Sequence, residues 1–298
     1  MTSDERLGWV KTLRTSYRNT SSCLFRSEQP ILNRMRFYWR LFKVIVVVIG
    51  CTIYTNLMAR LKPKAKRTAY RVRRQQVGAR LVCRALNYRV SMTGTPPADR
   101  PMLYVCNHIC ALDPIMIGSQ TPVCFAGKAE LGSWPVVGWV CRTHGMLFVN
   151  RERRTSTSTF VEQVQEKLED GVSLLVFPEG TTSWGFDVDP FKTGAFEAVA
   201  GCEGAAVLPF FLDVTALDGK PTEKGNGRHA LSHNHHEEFV DHALNLFSFK
   251  RADIEIRVGE PVLAENHNRK ELARLTHQQV RALGGDTLAE MAIVAEQG

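Results

Sequence analysis

The segment Asn107–Pro114 constrains the fold more than any other part of this sequence. The apolar run Met102–Cys106 precedes it and predicts a buried strand. Asp113-Pro114 is typical of a helix start, with Asp at the N-cap and Pro at the first helical position. His108 is therefore expected in a short turn at the C-terminal end of a strand, with Asp113 at the mouth of the following helix. In open α/β sheets, ligands bind at that place.

The spacing of His108 and Asp113 indicates an acid–base pair. A histidine held by a carboxylate can take a proton from an alcohol near neutral pH. The alternative is that Asp113 only caps the helix and that His108 is a hydrogen-bonded core residue. A short motif by itself does not separate these two interpretations.

The rest of the body alternates short apolar runs with amphipathic stretches. Ile254–Val258 alternates and predicts an edge strand with one solvated face. Strands interleaved with helices predict an α/β fold, a single sheet flanked by helices. The other predicted strands are Met102–Cys106, Val123–Ala126, Met146–Val149, Val172–Phe177 and Ala206–Val214, and the predicted helices are Ser158–Asp170, Phe191–Ala200 and Asn268–Leu283.

The charge distribution divides the chain into two predicted regions. Residues 1–80 hold 18 Lys and Arg against 3 Asp and Glu, a net charge of +15, whereas residues 81–298 carry −7. The basic region includes the apolar segment 41–58, which the aromatic residues Tyr38 and Trp39 precede and a basic cluster follows. This combination predicts an N-terminal membrane anchor on an anionic lipid surface, followed by a catalytic body. Nucleic-acid binding through residues 60–80 is disfavoured because aromatic residues are not interleaved there.

The apolar segment is short for a full span, which needs about 20 residues, so a spanning, a re-entrant and an interfacial helix stay open. The basic cluster on its C-terminal side places the body on the cytoplasmic face of the inner (plasma) membrane. In that compartment the eight cysteines are expected to be reduced. Cys106 and Cys110 flank His108, but they lack a second pair at zinc-ligand spacing. The polar stretch Lys220–His236 predicts a solvated loop.

Three further segments join the histidine motif in a fixed order. The strand ending at Asn150-Arg151 offers an arginine that can bind a phosphate. Phe177–Ser183 combines a strand end with Glu179 and a turn of small hydroxylated residues, which offers N–H and hydroxyl donors to a ligand. Val207–Phe210 is a strand that contains a proline.

The ordered set resembles the membrane-bound glycerolipid acyltransferase family, whose best-known members are 1-acylglycerol-3-phosphate acyltransferases. The resemblance covers about residues 80–265, and its four motifs are NHICALD (107–113), GMLFVNR (145–151), FPEGTTS (177–183) and VLPF (207–210). It implies that His108 is the general base on the hydroxyl of a lysolipid acceptor and that Asp113 orients the imidazole. The acyl donor would be acyl-CoA or acyl-carrier protein, with no metal or organic cofactor. The implied acceptor-binding residues are Asn107, Arg151, Glu179, Gly180, Thr181 and Thr182.

One departure from the family pattern bears on the acceptor. The third motif of phosphatidic-acid makers often reads EGTR, and Thr182 stands at the arginine position. The first-choice acceptor is 1-acylglycerol-3-phosphate, giving phosphatidic acid. Another lysolipid, such as a lyso-amino-lipid, is the alternative acceptor, and a non-catalytic lipid-binding protein is the alternative of a different class.

Overall fold

The protein is described from a computed structural model that covers residues 30–149, 156–222, 226–233, 239–285 and 288. The helices are α1 (Pro30–Arg60), α2 (Arg67–Leu86), α3 (Asp113–Gln120), α4 (Pro135–Thr143), α5 (Ser156–Glu169), α6 (Asn226–Leu231), α7 (Phe239–Ser248) and α8 (Arg269–Gly284). The strands are β1 (Tyr88–Thr93), β2 (Leu103–Cys106), β3 (Cys124–Lys128), β4 (Leu147–Val149), β5 (Leu174–Val176), β6 (Ala206–Leu217), β7 (Lys220–Pro221), β8 (Ala252–Val258) and β9 (Val262–Leu263).

The strands form one mixed sheet in the order β1-β8-β6-β2-β5-β3-β4, with β7 and β9 paired to β6. Strands β6, β2, β5, β3 and β4 are parallel to their neighbours in that order. Strand β8 runs antiparallel to β6 and parallel to β1. The C-terminal ends of the central parallel strands therefore meet at one edge, where ligands bind in such sheets.

Helices cover both faces of the sheet, which confirms the predicted α/β fold. Strand β6 has alternate residues on the two faces: Phe210 lies in one core cluster and Phe211 in the other. The first cluster includes residues of α2, α3 and α7, and the second includes residues of α5 and α8. The central strands are buried on both faces, which explains why they appear as continuous apolar runs in the sequence.

Three local predictions were wrong. Ile254–Val258 does not form an edge strand, because β8 lies between β1 and β6, and β1 had not been predicted. Phe191–Ala200 holds only a short 3₁₀ turn, Thr193–Phe196, followed by turns. The stretch Lys220–His236 is not simply a solvated loop, since α6 lies within it and packs against the body. Residues 223–225 and 234–238 of that stretch lie outside the described residues.

Helix α1 contains a 27-residue stretch, Arg34–Arg60, that is long and apolar enough to cross a membrane. One side of the helix contacts the body. Arg36 and Arg40 donate hydrogen bonds to main-chain carbonyls of residues 247–250, at the end of α7. Twenty residues, or about 30 Å, after Arg36, the Asn56 amide donates to Thr143 of α4 at 3.1 Å. The helix therefore lies against the body along most of its length.

The other side of α1 is an exposed apolar surface. Phe42, Val46 and Leu57 are each more than half exposed. We call this surface the α1 stripe, and its members are Met35, Tyr38, Trp39, Phe42, Ile45, Val46, Ile53, Tyr54 and Leu57. A continuous apolar surface of this length on a protein is a mark of contact with a membrane or with another protein.

Candidate active site

His108 and Asp113 meet at the C-terminal end of β2. The imidazole Nδ1 of His108 lies 2.7 Å from Oδ2 of Asp113, whose side chain is fully buried, while the histidine side chain is 20% exposed. Asp113 is the first residue of α3 and Leu112 is the N-cap, one position earlier than the sequence predicts. The carboxylate instead turns back into the loop that carries His108.

The Asp113 carboxylate organises this loop. Its Oδ2 accepts hydrogen bonds from the main-chain N–H of Ile109 at 2.6 Å and of Cys110 at 3.0 Å, in addition to the histidine. Its Oδ1 accepts from the Cys110 thiol at 3.1 Å. Because a buried carboxylate costs free energy unless it is hydrogen-bonded, these donors are what allow the charge to sit there. A proton on Nδ1 then leaves Nε2 as the basic nitrogen of His108.

The ring of His108 is also held by stacking. It lies on the ring of Phe177 with the centroids 4.1 Å apart and the planes 19° from parallel. Phe177 directly follows β5, so this contact joins the first and third sequence motifs. The stacking and the Asp113 hydrogen bond together fix the direction of Nε2, as a general base requires.

Glu179 is buried behind the histidine loop and ties two loops together. One carboxylate oxygen accepts from the main-chain N–H of His108 at 2.6 Å, and the other accepts from that of Asp189 at 2.8 Å. Burial raises the pKa of Glu179 to about 8, although the hydrogen bonds from Asp189 and His108 act in the opposite direction. Glu179 thus has a pKa near 8 and contacts the main chain of His108.

Residues 179–186 form a loop that we call the acceptor loop, after the role that the family resemblance predicts for Glu179, Gly180, Thr181 and Thr182. Ser183 donates its main-chain N–H to the carbonyl of His108 at 2.7 Å, so the loop lies directly against the histidine turn. Gly180 has a φ of +80°, a conformation that favours glycine. A Cβ at this position would also collide with the side chain of Lys192. The flexible end of Lys192 therefore lies directly against Gly180 and would have to shift if residue 180 carried a side chain.

The hydroxyl of Thr182 points to the protein. It donates to the main-chain carbonyl of His233 at 3.0 Å. Thr181 is partly buried in the same loop. Arg151, the predicted phosphate ligand, and Asn150 lie outside the described residues.

Asn107 joins β2 to β6 through its side chain. Its amide nitrogen donates to the carbonyl of Leu212 at 3.0 Å, and its amide oxygen accepts from the N–H of Leu212 at 2.8 Å. The side chain thereby continues the hydrogen-bond ladder one residue beyond the end of β2. This geometry suits a residue that positions the histidine turn.

The cysteines next to His108 do not have the properties of a nucleophile. Burial, followed by the charge of Asp113, raises the pKa of Cys110 well above its ordinary value, which keeps it a thiol. Burial has the same effect on the pKa of Cys106. Within the described ranges, no group of three or more His, Cys, Asp and Glu side chains could hold a metal ion.

Some site residues could not be identified from the motifs. The N–H of Asp189 and the backbone of Leu212 act through main-chain atoms, which leave no signal in the sequence. Phe177 lies within the third motif, but its apolar side chain gave reason to expect only a core residue. Its position directly before the predicted turn was the one available signal that it faces the site.

Comparison with known proteins identifies relatives of this chain. The family described as Acyltransferase matches residues 87–213. A lyso-ornithine lipid O-acyltransferase from Pseudomonas aeruginosa is 32% identical over 243 residues, which cover 81% of this chain and 90% of the relative. A protein of the same description from Rhizobium meliloti is 30% identical, with 74% and 77% covered. A 1-acyl-sn-glycerol-3-phosphate acyltransferase from Neisseria gonorrhoeae is 33% identical over 133 residues, covering 44% and 52%.

A solved structure has the same fold. It is the 1-acyl-sn-glycerophosphate acyltransferase PlsC from Thermotoga maritima, with a TM-score of 0.64 and 20% sequence identity. The match covers 87% of this chain and 98% of that one. The likeness therefore extends over most of both chains.

The raised pKa of Glu179 predicts how Glu179→Gln changes the pH dependence of stability. In the unfolded chain the carboxyl titrates near its ordinary value of 4.5, and in the folded chain near 8. Between these two pH values only the folded form holds the proton on Glu179. The stabilisation that comes from burying the protonated carboxyl is complete below about pH 4.5 and is lost as pH rises to 8. Relative to Glu179→Gln, the wild-type free energy of unfolding should fall by at most about 1.4 kcal/mol per pH unit.

Thermal unfolding in detergent between pH 5 and pH 9 measures this difference. The exposed Glu197, replaced in Glu197→Gln, is the matched control and should show a constant difference from wild type. A Glu179→Gln difference that is also constant, or that grows in favour of wild type with pH, would contradict the assignment.

Proposed function

Because the chain belongs to the glycerolipid acyltransferase family, we propose that it transfers a fatty acyl group from a thioester to the free hydroxyl of a lysolipid and that His108 is the general base. The observation that carries this proposal is the 2.7 Å contact between His108 Nδ1 and the buried Asp113 carboxylate at the C-terminal end of β2. A histidine fixed on one nitrogen by a carboxylate presents the other nitrogen as a proton acceptor.

The proposed reaction proceeds without an acyl-enzyme. His108 Nε2 takes the proton of the acceptor hydroxyl while the oxygen attacks the thioester carbonyl of acyl-CoA or acyl-carrier protein. Asp113 stabilises the imidazolium that forms, since its charge lies on the Nδ1 side. The tetrahedral intermediate then collapses, the carbon–sulfur bond breaks, and the thiol leaves with the proton from His108. The raised pKa of Cys110 supports direct transfer, because an acyl-carrying cysteine would need to ionise.

We propose a lyso-amino-lipid of the lyso-ornithine type as the acceptor. Two observations support this choice over a phosphate-bearing acceptor. The lyso-ornithine lipid acyltransferases match over most of their length, whereas the match to the Neisseria enzyme spans about half of that enzyme. Thr182 offers no cation at a position where phosphatidic-acid makers often have arginine, and its hydroxyl already bonds His233. The second candidate is 1-acylglycerol-3-phosphate, which the Neisseria relative and the position of Lys192 beside Gly180 favour.

An assay with a panel of acceptors tests reaction and acceptor together. Membranes carrying the protein are offered labelled acyl-CoA or acyl-carrier protein with lyso-ornithine lipid, 1-acylglycerol-3-phosphate or other lysolipids. Transfer to lyso-ornithine lipid is expected, and His108→Ala should lower it by about 10²–10⁴-fold because the base is lost. His267→Ala, which removes an exposed histidine on the connection before α8, is the matched control and should keep full activity.

The outcomes of this assay separate the alternatives. Transfer to 1-acylglycerol-3-phosphate alone would keep the mechanism and change the acceptor. Transfer that survives His108→Ala would contradict the mechanism. A wild-type protein that acylates none of the lysolipids from either donor would favour the lipid-binding alternative.

We also propose that the α1 stripe lies in the membrane with the helix parallel to the surface. The contacts of Arg36, Arg40 and Asn56 hold α1 against the body over about 30 Å. If α1 crossed the bilayer in this arrangement, the polar body packed along it would have to enter the hydrocarbon core. The basic residues after α1 favour an anionic leaflet on the cytoplasmic side.

Replacing three members of the stripe tests this orientation. The triple variant Phe42→Ser, Val46→Ser, Leu57→Ser removes exposed apolar surface and leaves the contacts with the body intact. Its affinity for vesicles that contain anionic lipid should fall by tenfold or more. The reason is that each Å² of apolar surface lost removes on the order of 25 cal/mol of binding free energy. Cosedimentation measures the change, and Leu263→Ser, at an exposed position on β9, is the control. Unchanged binding of the triple variant would refute the assignment.

A further inference from the structure

A short segment distant in sequence from all four motifs packs directly on the acceptor loop. It consists of α6 and the two residues after it, residues 226–233, and we call it the clamp segment. Arg228 in this segment is 1% exposed. Its Nε donates to the carbonyl of Gly185 at 2.7 Å, and its Nη1 bonds Asp213 of β6 at 2.6 Å. One guanidinium therefore ties the acceptor loop to a central strand of the sheet.

His229 makes a second set of contacts with the same loop. Its Nδ1 lies 3.1 Å from the carbonyl of Trp184, a distance at which the ring N–H donates. Its ring stacks on Phe186 with the centroids 4.4 Å apart and lies 5.9 Å from the ring of Trp184. Burial lowers the pKa of His229, so the ring stays neutral at physiological pH.

His233 connects the clamp segment with both halves of the site. Its carbonyl accepts from the hydroxyl of Thr182 in the acceptor loop at 3.0 Å. Its main-chain N–H donates to the carbonyl of Ile109, next to the general base, at 2.9 Å. The segment thus contacts the histidine turn and the acceptor loop at once, and it fixes the distance between them.

The ion pair of Arg228 and Asp213 is better explained by positioning than by stability. A buried ion pair must overcome a large desolvation cost, and well-packed apolar residues in its place are often equally stable. The pair does, however, give a fixed direction to the N–H that holds Gly185. Gly185 has a φ of +77°, and a Cβ there would approach the Arg228 backbone to 2.8 Å. The loop and the clamp segment can therefore pack this closely because residue 185 is glycine.

We propose that residues 226–233 are a positioning element for the acceptor: Arg228 and His229 hold the acceptor loop against the His108 turn and thereby set how well the lysolipid headgroup is bound. This inference rests on the proposed function of the acceptor loop. The clamp segment also holds Thr182, because the carbonyl of His233 accepts the hydrogen bond of its hydroxyl.

Kinetics with Arg228→Gln, Arg228→Lys and His229→Phe test the inference. Arg228→Gln should raise the KM for the acceptor by about tenfold or more while the KM for the acyl donor changes by less than about twofold, because only the acceptor loop is displaced. Arg228→Lys should restore part of the loss. His229→Phe keeps the ring stacking and removes the hydrogen bond to Trp184, so it should fold normally and raise the acceptor KM by a few-fold. Arg269→Gln, at an exposed ion pair with Glu197, is the control.

Amide hydrogen exchange of residues 177–190 in the full chain gives a readout independent of activity. Faster exchange there in Arg228→Gln and His229→Phe, with other regions unchanged, is expected. Loss of kcat with both KM values unchanged would overturn the inference, because the segment would then not set acceptor binding. Wild-type exchange in both variants would also overturn it, because the segment would then not hold the loop. If the wild type acylates no lysolipid, the proposed function fails, and the exchange rates alone decide whether the segment holds the loop.

Discussion

The site depends on one buried carboxylate. Asp113 is fully removed from water, yet its two oxygens accept hydrogen bonds from the imidazole of His108, two main-chain N–H groups and a thiol. Each donor lies in the turn between β2 and α3, so the buried carboxylate holds the turn in this shape. The direction of the histidine ring is a consequence of that shape. A change in any of these donors would alter the position of the His108 ring as well as the loop.

The sheet supplies the frame that makes this turn possible. Asn107 extends the ladder between β2 and β6 by one residue, and Glu179 accepts the N–H of His108 from the end of β5. The His108 turn is therefore held from β6 and from the end of β5, the strands on either side of β2. The third motif reaches the same place because parallel strands end at one edge.

Much of the fold could be predicted because the central strands are buried on both faces and leave continuous apolar runs. The structure brings the first and third motifs together at His108, Asp113 and Glu179, whereas Arg151 of the second motif lies outside the described residues. The short strand β1 and helix α6 escaped prediction for a different reason. Arg228 is a charged residue in a polar, glycine-containing stretch, and only its long-range contact with Asp213 makes it part of the core. The contacts of Arg40 with the end of α7 are equally non-local. Because of them, a helix that is long and apolar enough to span a membrane has one side packed on the body.

The central claim is that the charge of Asp113 makes His108 a base, and Asp113→Asn tests it most directly. The asparagine oxygen can keep the three hydrogen bonds at Oδ2, so the variant removes the charge with little change of shape. We predict that kcat for acyl transfer falls by about 10²–10⁴-fold while thermal unfolding changes little. A folded variant that keeps kcat within about tenfold of wild type would contradict the account, because the imidazolium would then need no carboxylate.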